Sequence, residues 1–386
     1  MTQATSSSPE TKGILRHSLA HPRKPSLARR IEAFRWNLKY AFSARKPLLT
    51  ARLAKAVIRS SLGHPPLRYV DFSLDFRCNL RCEHCFATAL EAKADRPRMA
   101  LEDYKRVAKQ AMDLGCVNFS FQGGEPLLIK QLPEIITACQ PERNVISVTT
   151  NGLLLTEERI DQLIAAGVDI LTVSLDSGEA DDHDAFRGAP GAFAKSVAGI
   201  RRALKKGLRV TIGTVVMRGT LDQLGFQKLL DLTLNDLQVM TYLILPVRAG
   251  NWTGSNNLSL TAEELARIEA LTASSPLIRT DFQSNLGPRG CGAVKEILYL
   301  TPYGDVLPCP FLHISPGNVL SEPLAEIRAR ALGNAWFADY HPDCLVSTSE
   351  AFIDDHLSRT FDAEALPLNW QDGMGERKPD PRHPPD

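Results

Sequence analysis

"CNLRCEHC", residues 78–85, sets three cysteines in eight positions with the spacing C-x3-C-x2-C. The stretch follows "RYVDFSLD" (68–75), which reads as a strand, so the cysteines occupy a loop at a strand end. Three readings are open on these residues alone. Cys82-x-x-Cys85 after a strand has the form of a redox dithiol, but that use leaves Cys78 idle. A zinc site wants four ligands, and His84 would supply the fourth from the same cramped loop. Three thiolates on an iron–sulfur cluster leave one iron without a cysteine, which in a catalyst is an open coordination site.

The surrounding chain alternates strands and helices. Strands read at 68–75, 116–121, 144–150, 169–176, 208–216 and 239–247. Between them fall helical stretches at 99–115, before 144, at 156–166, up to Gly207 and at 220–234. Six β/α units with strands rich in Val, Ile, Leu, Phe and Thr predict a parallel sheet covered by helices. Right-handed crossovers bend such a sheet into a full or partial barrel, although an open doubly wound sheet satisfies the pattern too. The cysteine triplet, "GGEP" (123–126), "TNG" (150–152), "LDS" (175–177) and "VRAG" (247–250) each follow a strand. In parallel β/α architectures such loops converge on one face, where active sites lie.

C-x3-C-x2-C followed by an aromatic residue, Phe86, then G-G-E-P, T-N-G and S-L-D at successive strand ends, resembles the radical S-adenosylmethionine (radical SAM) superfamily. The resemblance covers roughly residues 68–250. It implies an α/β fold, a partial (β/α)6 barrel, with Cys78, Cys82 and Cys85 holding a 4Fe–4S cluster. The amino and carboxylate groups of S-adenosylmethionine (SAM) would chelate the fourth iron. Reductive cleavage of SAM would then yield a 5′-deoxyadenosyl radical that takes hydrogen from a substrate. By motif position the resemblance puts Phe86 near the adenine and Gly123, Gly124 and Glu125 beside the methionine amino group, where glycines let carbonyls approach an ammonium. Thr150, Asn151 and Ser174 fall near the ribose or methionine moiety, and Arg187 in "HDAFRG" at the SAM carboxylate. Local readings compete: Asn151-Gly152 as a turn, Asp176 as a cap, Arg187 as a surface charge. No residue stands out as a general acid or base.

A second cysteine set lies downstream. "CGAVKEILYLTPYGDVLPC" (291–309) has the form C-x12-G-x4-C, with Gly304 turning a hairpin, and Cys344 follows in "HPDCLV". This resembles the SPASM/twitch extension of the superfamily, which binds auxiliary iron–sulfur clusters. The further cysteine array of a full SPASM extension is absent. Cys291, Cys309 and Cys344 therefore imply one auxiliary cluster, in a cap over the barrel mouth, with an open iron or a fourth ligand such as His313, His341 or Asp343. Buried apolar cysteines are the competing reading, favoured for Cys116 and Cys139.

The totals fit an enzyme of this kind. The chain has 386 residues, 44% of them hydrophobic, enough for a sizeable core. Eight cysteines are too sparse for a disulfide scaffold, and their clustering suits metal chemistry in a reducing compartment. A formal charge of +1 argues against a globally basic nucleic-acid binder. No apolar run of about 18 residues suggests a membrane span, and "MTQATSSSPETKG" lacks the core of a secretory signal, so a cytoplasmic location is expected. Residues 1–66 carry thirteen Lys/Arg against two Glu and read as a mobile start followed by basic amphipathic helices. Those helices either pack on the main domain or touch an anionic membrane surface peripherally.

The expected organisation is thus 1–66 as this N-terminal segment, 67–255 as the barrel, 256–374 as the auxiliary-cluster region and 375–386 as a disordered tail. The first expectation for substrate is a small biosynthetic metabolite undergoing oxidation, epimerisation or rearrangement. A ribosomally made peptide is the alternative, and a non-catalytic electron carrier ranks below both. A low-potential electron donor such as a flavodoxin or ferredoxin is the implied partner.

Overall fold

The computed structural model describes residues 46–61, 66–91, 96–255, 257–281 and 290–375. The helix expected from Ile31, Phe34, Leu38 and Phe42 lies outside them, as does the tail beyond Gly375. Seven strands run parallel in chain order: β1 (Tyr69–Ser73), β2 (Asn118–Gln122), β3 (Val145–Thr150), β4 (Ile170–Ser174), β5 (Arg209–Val215), β6 (Met240–Ile244) and β7 (Ile278–Thr280). The sheet does not close. Its free edge at β1 is extended by β8 (Ile297–Leu300), β9 (Asp305–Leu307) and β11 (Gly317–Asn318), while β10 (Ile314–Ser315) pairs with β12 (Leu368–Asn369). The six strands expected from the sequence are β1 to β6; the joining of β7 and β8 to the same sheet was not.

Helices α1 (Pro47–Ser61), α2 (Leu101–Asp113), α3 (Leu132–Ala138), α4 (Glu157–Ala166), α5 (Ala180–Arg187), α6 (Ala192–Lys205), α7 (Leu224–Asp231) and α8 (Ala262–Ser274) fill most of the gaps between strands. Their boundaries follow local chemistry. Thr156 caps α4 by accepting from the Arg159 amide, and Gly167 ends it at φ +91°. Thr261 and Glu264 form a reciprocal capping box on α8. The helix expected to end near Gly207 is two helices, because Gly188 and Gly191 both take positive φ between α5 and α6.

Strand alternation explains the layers. Val70 and Phe72 of β1 and Phe119 and Phe121 of β2 are fully buried. Phe72 stacks on both neighbours, centroids 6.2 and 5.9 Å away, and meets Tyr104 of α2 edge-on at 5.3 Å. The intervening positions, among them Tyr69, Asp71, Asn118 and Gln122, line a central cavity of about 350 Å³. One face of the sheet is therefore an apolar core, and the other presents hydroxyl, amide and carboxyl side chains to a chamber whose remaining lining is mainly apolar.

Helix α1 packs across the strands' N-terminal ends. Leu49 is buried against Val117 and Val145, and Lys46 pairs with Asp169 at 2.5 Å while donating to the Asn144 carbonyl at 3.0 Å. No helix among the described residues is long and apolar enough to cross a membrane.

Two pairings set the level of the second cysteine set. β8 runs parallel to β1, with Tyr69 opposite Ile297. β9 returns antiparallel through a turn at Gly304 (φ +83°), with Tyr299 opposite Leu307. Cys309, two residues past Leu307, is carried back to the N-terminal end of β1, whereas Cys78 follows its C-terminal end. Five-residue β1 thus puts about 13 Å of strand, at roughly 3.3 Å per residue, between the two levels. The second set is not a cap over the mouth. The antiparallel return turns it toward the opposite end.

Phe72→Ala should cost about 3–5 kcal/mol through cavity formation among stacked rings, seen as a lower urea unfolding midpoint. An unchanged midpoint would show that β1 is not packed against α2 as described.

Candidate functional site

The first cysteine loop is held from three sides. Asn251 clamps it: its side-chain amide donates to the Cys82 carbonyl at 2.9 Å and its backbone amide to the Cys85 carbonyl at 3.0 Å. Gly250 makes this approach possible, since a Cβ there would lie 2.1 Å from the Cys85 oxygen. His84, a zinc ligand in one sequence reading, instead stacks on Phe186 at 4.7 Å and lies near Trp252. Burial, then the nearby Arg187 charge, drives its pKa down to about 3, so the ring is neutral. Phe86 meets Phe311 edge-on at 5.1 Å.

The "GGEP" loop is nested against the chain leading into Cys78. Gly124 donates to the Asp75 carbonyl at 2.6 Å and Glu125 to that of Arg77 at 3.0 Å. A Cβ on Gly124 would stand 2.0 Å from the Arg77 oxygen. The visible need for glycine is thus backbone against backbone. Glu125 is buried and committed internally: Oε1 accepts from Leu127 N and Thr150 Oγ1, and Oε2 from Asn151 N at 2.9 Å. Asn151 passes the order on, donating to Asn79 Oδ1 at 2.7 Å and reaching Cys78 Sγ at 3.8 Å. Glu125 and Thr150 therefore act on the site through Asn151 and Cys78. Ser174 shares a strand face with the cavity-lining Ile170 and Thr172, one step nearer the cysteine loop.

Arg187 is buried and forms a two-pronged pair with Asp176, both contacts at 2.6 Å, while a third nitrogen lies 3.8 Å from Cys82 Sγ. Burial opposes the charge on Asp176, but Arg187 and the nearby histidines outweigh it and hold its pKa below the usual carboxylate range. Cys82 is pushed up by burial and pulled down by Arg187; burial pushes Cys78 up to about 11. Metal binding at these thiols must therefore release protons.

Cys291, Cys309 and Cys344, distant in sequence, all line the central cavity. Burial raises each thiol, Cys309 to about 12, and their mutual charges add to this for Cys309 and Cys344. Of the candidates for a fourth ligand, His313, His341 and Asp343 are not among the cavity-lining residues, whereas Asp281 is. Cys116 and Cys139 are fully buried in the main core. Among the described residues no three His, Cys, Asp or Glu side chains close on a single metal ion. A cluster does not ask this of them, since its ligands spread around a cage of iron and sulfide.

Asp71 is a site residue that sequence reading missed. It sits mid-strand on the cavity face, accepts from the Gln122 amide, and its Oδ1 is buried without a partner among the described residues. Burial raises its pKa to about 7, held back only in part by hydrogen bonds from Ser120 and Gln122. The signal was there: an acid between Val70 and Phe72 in an otherwise apolar strand. Asn251 gave no such sign.

The family model described as "Radical SAM superfamily" matches residues 74–224. A PqqA peptide cyclase of Streptomyces rochei is 31% identical over 272 residues, covering 66% of this chain and 73% of the relative. The chain belongs to the radical SAM superfamily. An AdoMet-dependent heme synthase of Nitratidesulfovibrio vulgaris is 26% identical over 294 residues, covering 69% and 79% of the two chains. Among solved structures, Streptococcus suis SuiB bound to the precursor peptide SuiA superposes with a TM-score of 0.57 at 16% identity, over 75% of this chain and 69% of that one. Native anSMEcpe with bound AdoMet gives 0.52 at 19%, over 67% and 80%. These two share the fold.

This radical SAM enzyme accordingly uses a 4Fe–4S cluster and SAM. The donor set fits them: three cysteines in one clamped loop, with Asn151 and Arg187 donating toward two of the sulfurs. Arg187→Met should strand the Asp176 carboxylate, costing about 3–5 kcal/mol at neutral pH. In the parent, Asp176 contributes stability above its unfolded pKa and loses it as pH falls through the depressed folded value. In the variant Asp176 is destabilising when charged, so the melting deficit should be largest near neutrality and shrink toward acid. A pH-independent deficit would count against the pairing.

Proposed function

We propose that this radical SAM enzyme oxidises a peptide, with an auxiliary iron–sulfur cluster on Cys291, Cys309 and Cys344. The observation that carries the reading is the cavity bordered by that second cysteine set and running along the polar face of the sheet whose opposite ends carry the first. Such an arrangement suits a net oxidation, in which hydrogen is taken at one end and an electron leaves at the other. The 31% identical relative named a peptide cyclase favours a peptide over the small metabolite first expected. The relatives named heme synthase keep a tetrapyrrole as the second reading.

When bound, the first cluster and SAM supply the radical that removes a hydrogen atom from a substrate carbon. The remaining requirements fall on this chain. Phe86, Gly123, Gly124, Asn151, Ser174 and Arg187 border SAM, with Glu125 and Thr150 positioning Asn151 from behind. A second cluster held by Cys291, Cys309 and Cys344 would supply an acceptor for one electron from the substrate, and Asp71 is placed on the cavity wall to take the proton that leaves as the new bond forms. The substrate loses two hydrogens in all. Asp71 suits this role because a carboxylate with pKa about 7 takes a proton readily near neutrality. A low-potential donor of the flavodoxin or ferredoxin class and a cytoplasmic setting complete the reading.

The test is anaerobic reconstitution with iron and sulfide, then incubation with SAM, dithionite and either a peptide pool or iron tetrapyrroles. About eight irons per chain, 5′-deoxyadenosine, and a peptide lighter by two hydrogens are expected. Conversion of a tetrapyrrole and of no peptide would move the substrate class to the second reading. Asp71→Asn should keep forming 5′-deoxyadenosine while product falls at least about tenfold, with Asp71→Glu recovering part of it. Equal loss of both would assign Asp71 a structural role.

A further inference from the structure

A separate cavity, of about 420 Å³, lies at the N-terminal ends of the strands, between α1, the last turn of α2 and the chain entering β2 and β3. Its lining holds five basic side chains against one carboxylate. That carboxylate, Asp113, is already paired with Lys109 at 2.8 Å. The other four, Arg52, Lys55, Arg59 and Arg143, form no ion pair among the described residues. Glu142, next to Arg143 in the chain, is exposed and does not line the cavity.

Two of the four are set in place from behind. Arg52 of α1 donates to the carbonyls of Arg143 at 3.2 Å and Cys116 at 2.5 Å, and to Asn144 Oδ1. Asn144 is fully buried, and its amide donates to the carbonyls of Cys139 at 2.8 Å and Gln140 at 3.2 Å. These acceptors are neutral, so they orient the Arg52 guanidinium without cancelling its charge. Burial, then the charge of Arg143, lowers the pKa of Arg52. Arg143 follows a tight turn at Gln140 (φ +52°), whose carbonyl accepts from the Arg143 amide at 3.1 Å. The side-chain Nε of Arg143 is buried with no hydrogen-bond partner among the described residues. A buried donor without an acceptor, beside a second guanidinium, favours an anion between them.

We propose that this cavity binds a phosphate-bearing small molecule, with its phosphoryl group at Arg52 and Arg143 and its organic part against Ala56, Met112 and Val117. A monoanion offsets one of the four charges and a phosphate ester about two, and guanidinium forks match phosphoryl oxygens in pairs. The volume suits a compact organic ester. The chain's own N-terminal segment is a poor occupant, since residues 1–45 hold nine Lys/Arg and only two Glu. SAM is not the occupant either, because the loops expected to hold it follow the opposite strand ends. A lipid headgroup offers the same phosphoryl chemistry, and Lys55 and Arg59 are exposed to meet it.

The experiment titrates phenyl phosphate into the reconstituted full-length enzyme by calorimetry, with benzenesulfonate as a monoanion of similar shape. Phenyl phosphate should bind at one site per chain, at least about tenfold more tightly than benzenesulfonate. Arg143→Gln should weaken it by at least about tenfold, and so should the exposed pair Lys55→Gln and Arg59→Gln made together. Both variants should form 5′-deoxyadenosine from SAM and dithionite at the parent's rate, which separates lost binding from misfolding. If Arg143→Gln loses that activity, the exposed pair carries the comparison. Pelleting with phosphatidic acid and with phosphatidylcholine vesicles identifies the source of the phosphate. Capture by phosphatidic acid alone, lost in the variants and without phenyl phosphate binding, assigns a lipid headgroup to the same site. Equal affinity for the two small probes, binding that survives both variants, or no binding of either phosphate overturns the proposal. So does poly-glutamate that binds in an Arg143-dependent way when neither phosphate does.

Discussion

A carboxylate taken out of water must find its hydrogen bonds within the protein, and Glu125 finds three, from the last residue of β3 and from the loops that follow β2 and β3. By accepting from Thr150 and from the Asn151 amide, it fixes the end of β3 relative to the end of β2. Asn151 then has a defined place from which to meet Asn79 and Cys78. On the other side, the backbone of the same loop is threaded against residues 75–77, the lead-in to the cysteines. One buried acid and the close backbone approach that Gly124 permits thus help to set the position of a reactive loop from behind. Burial raises the pKa of Glu125, opposed by those same hydrogen bonds.

The sheet separates two kinds of environment by alternation alone. Outward positions of β1 and β2 are aromatic and aliphatic and tie the strands to helices. Inward positions carry hydroxyls, amides and Asp71, which leaves a chamber able to orient a polar substrate. The β8–β9 hairpin then brings its cysteine to the far end of the same strand that leads into the first set. Radical chemistry benefits from this separation, since orientation and exclusion of water are the protein's main contributions.

Much of this was legible in the sequence. The six strands, the loops after them and Cys78, Cys82 and Cys85 are written locally, in apolar runs punctuated by Gly, Asn and Pro. So is the hairpin at Gly304. The rest depends on segments that meet only in the folded chain. Asn251 clamps a loop about 170 residues earlier, through a bond with 169 residues of separation, and nothing in "AGNW" announces it. His84 looked like a ligand by spacing, yet the rings of Phe186 and Trp252 decide its place. Arg187 was expected at the SAM carboxylate or as a surface charge; the structure buries it against Asp176, a residue that had read as a cap. The level of Cys309 could not be foreseen, because it depends on which edge the hairpin joins.

That edge has a consequence for how the chain is assembled. β1 is flanked on one side by β2 and on the other by β8, and the contact between Arg68 and Glu296 spans 228 residues. On the ribosome, the first strand of the barrel emerges early but must wait with one ladder of amides and carbonyls unpaired until β8 has been translated. Such a long wait raises contact order and exposes a sheet edge to mispairing during synthesis. The strand that begins the barrel is among the last to be finished.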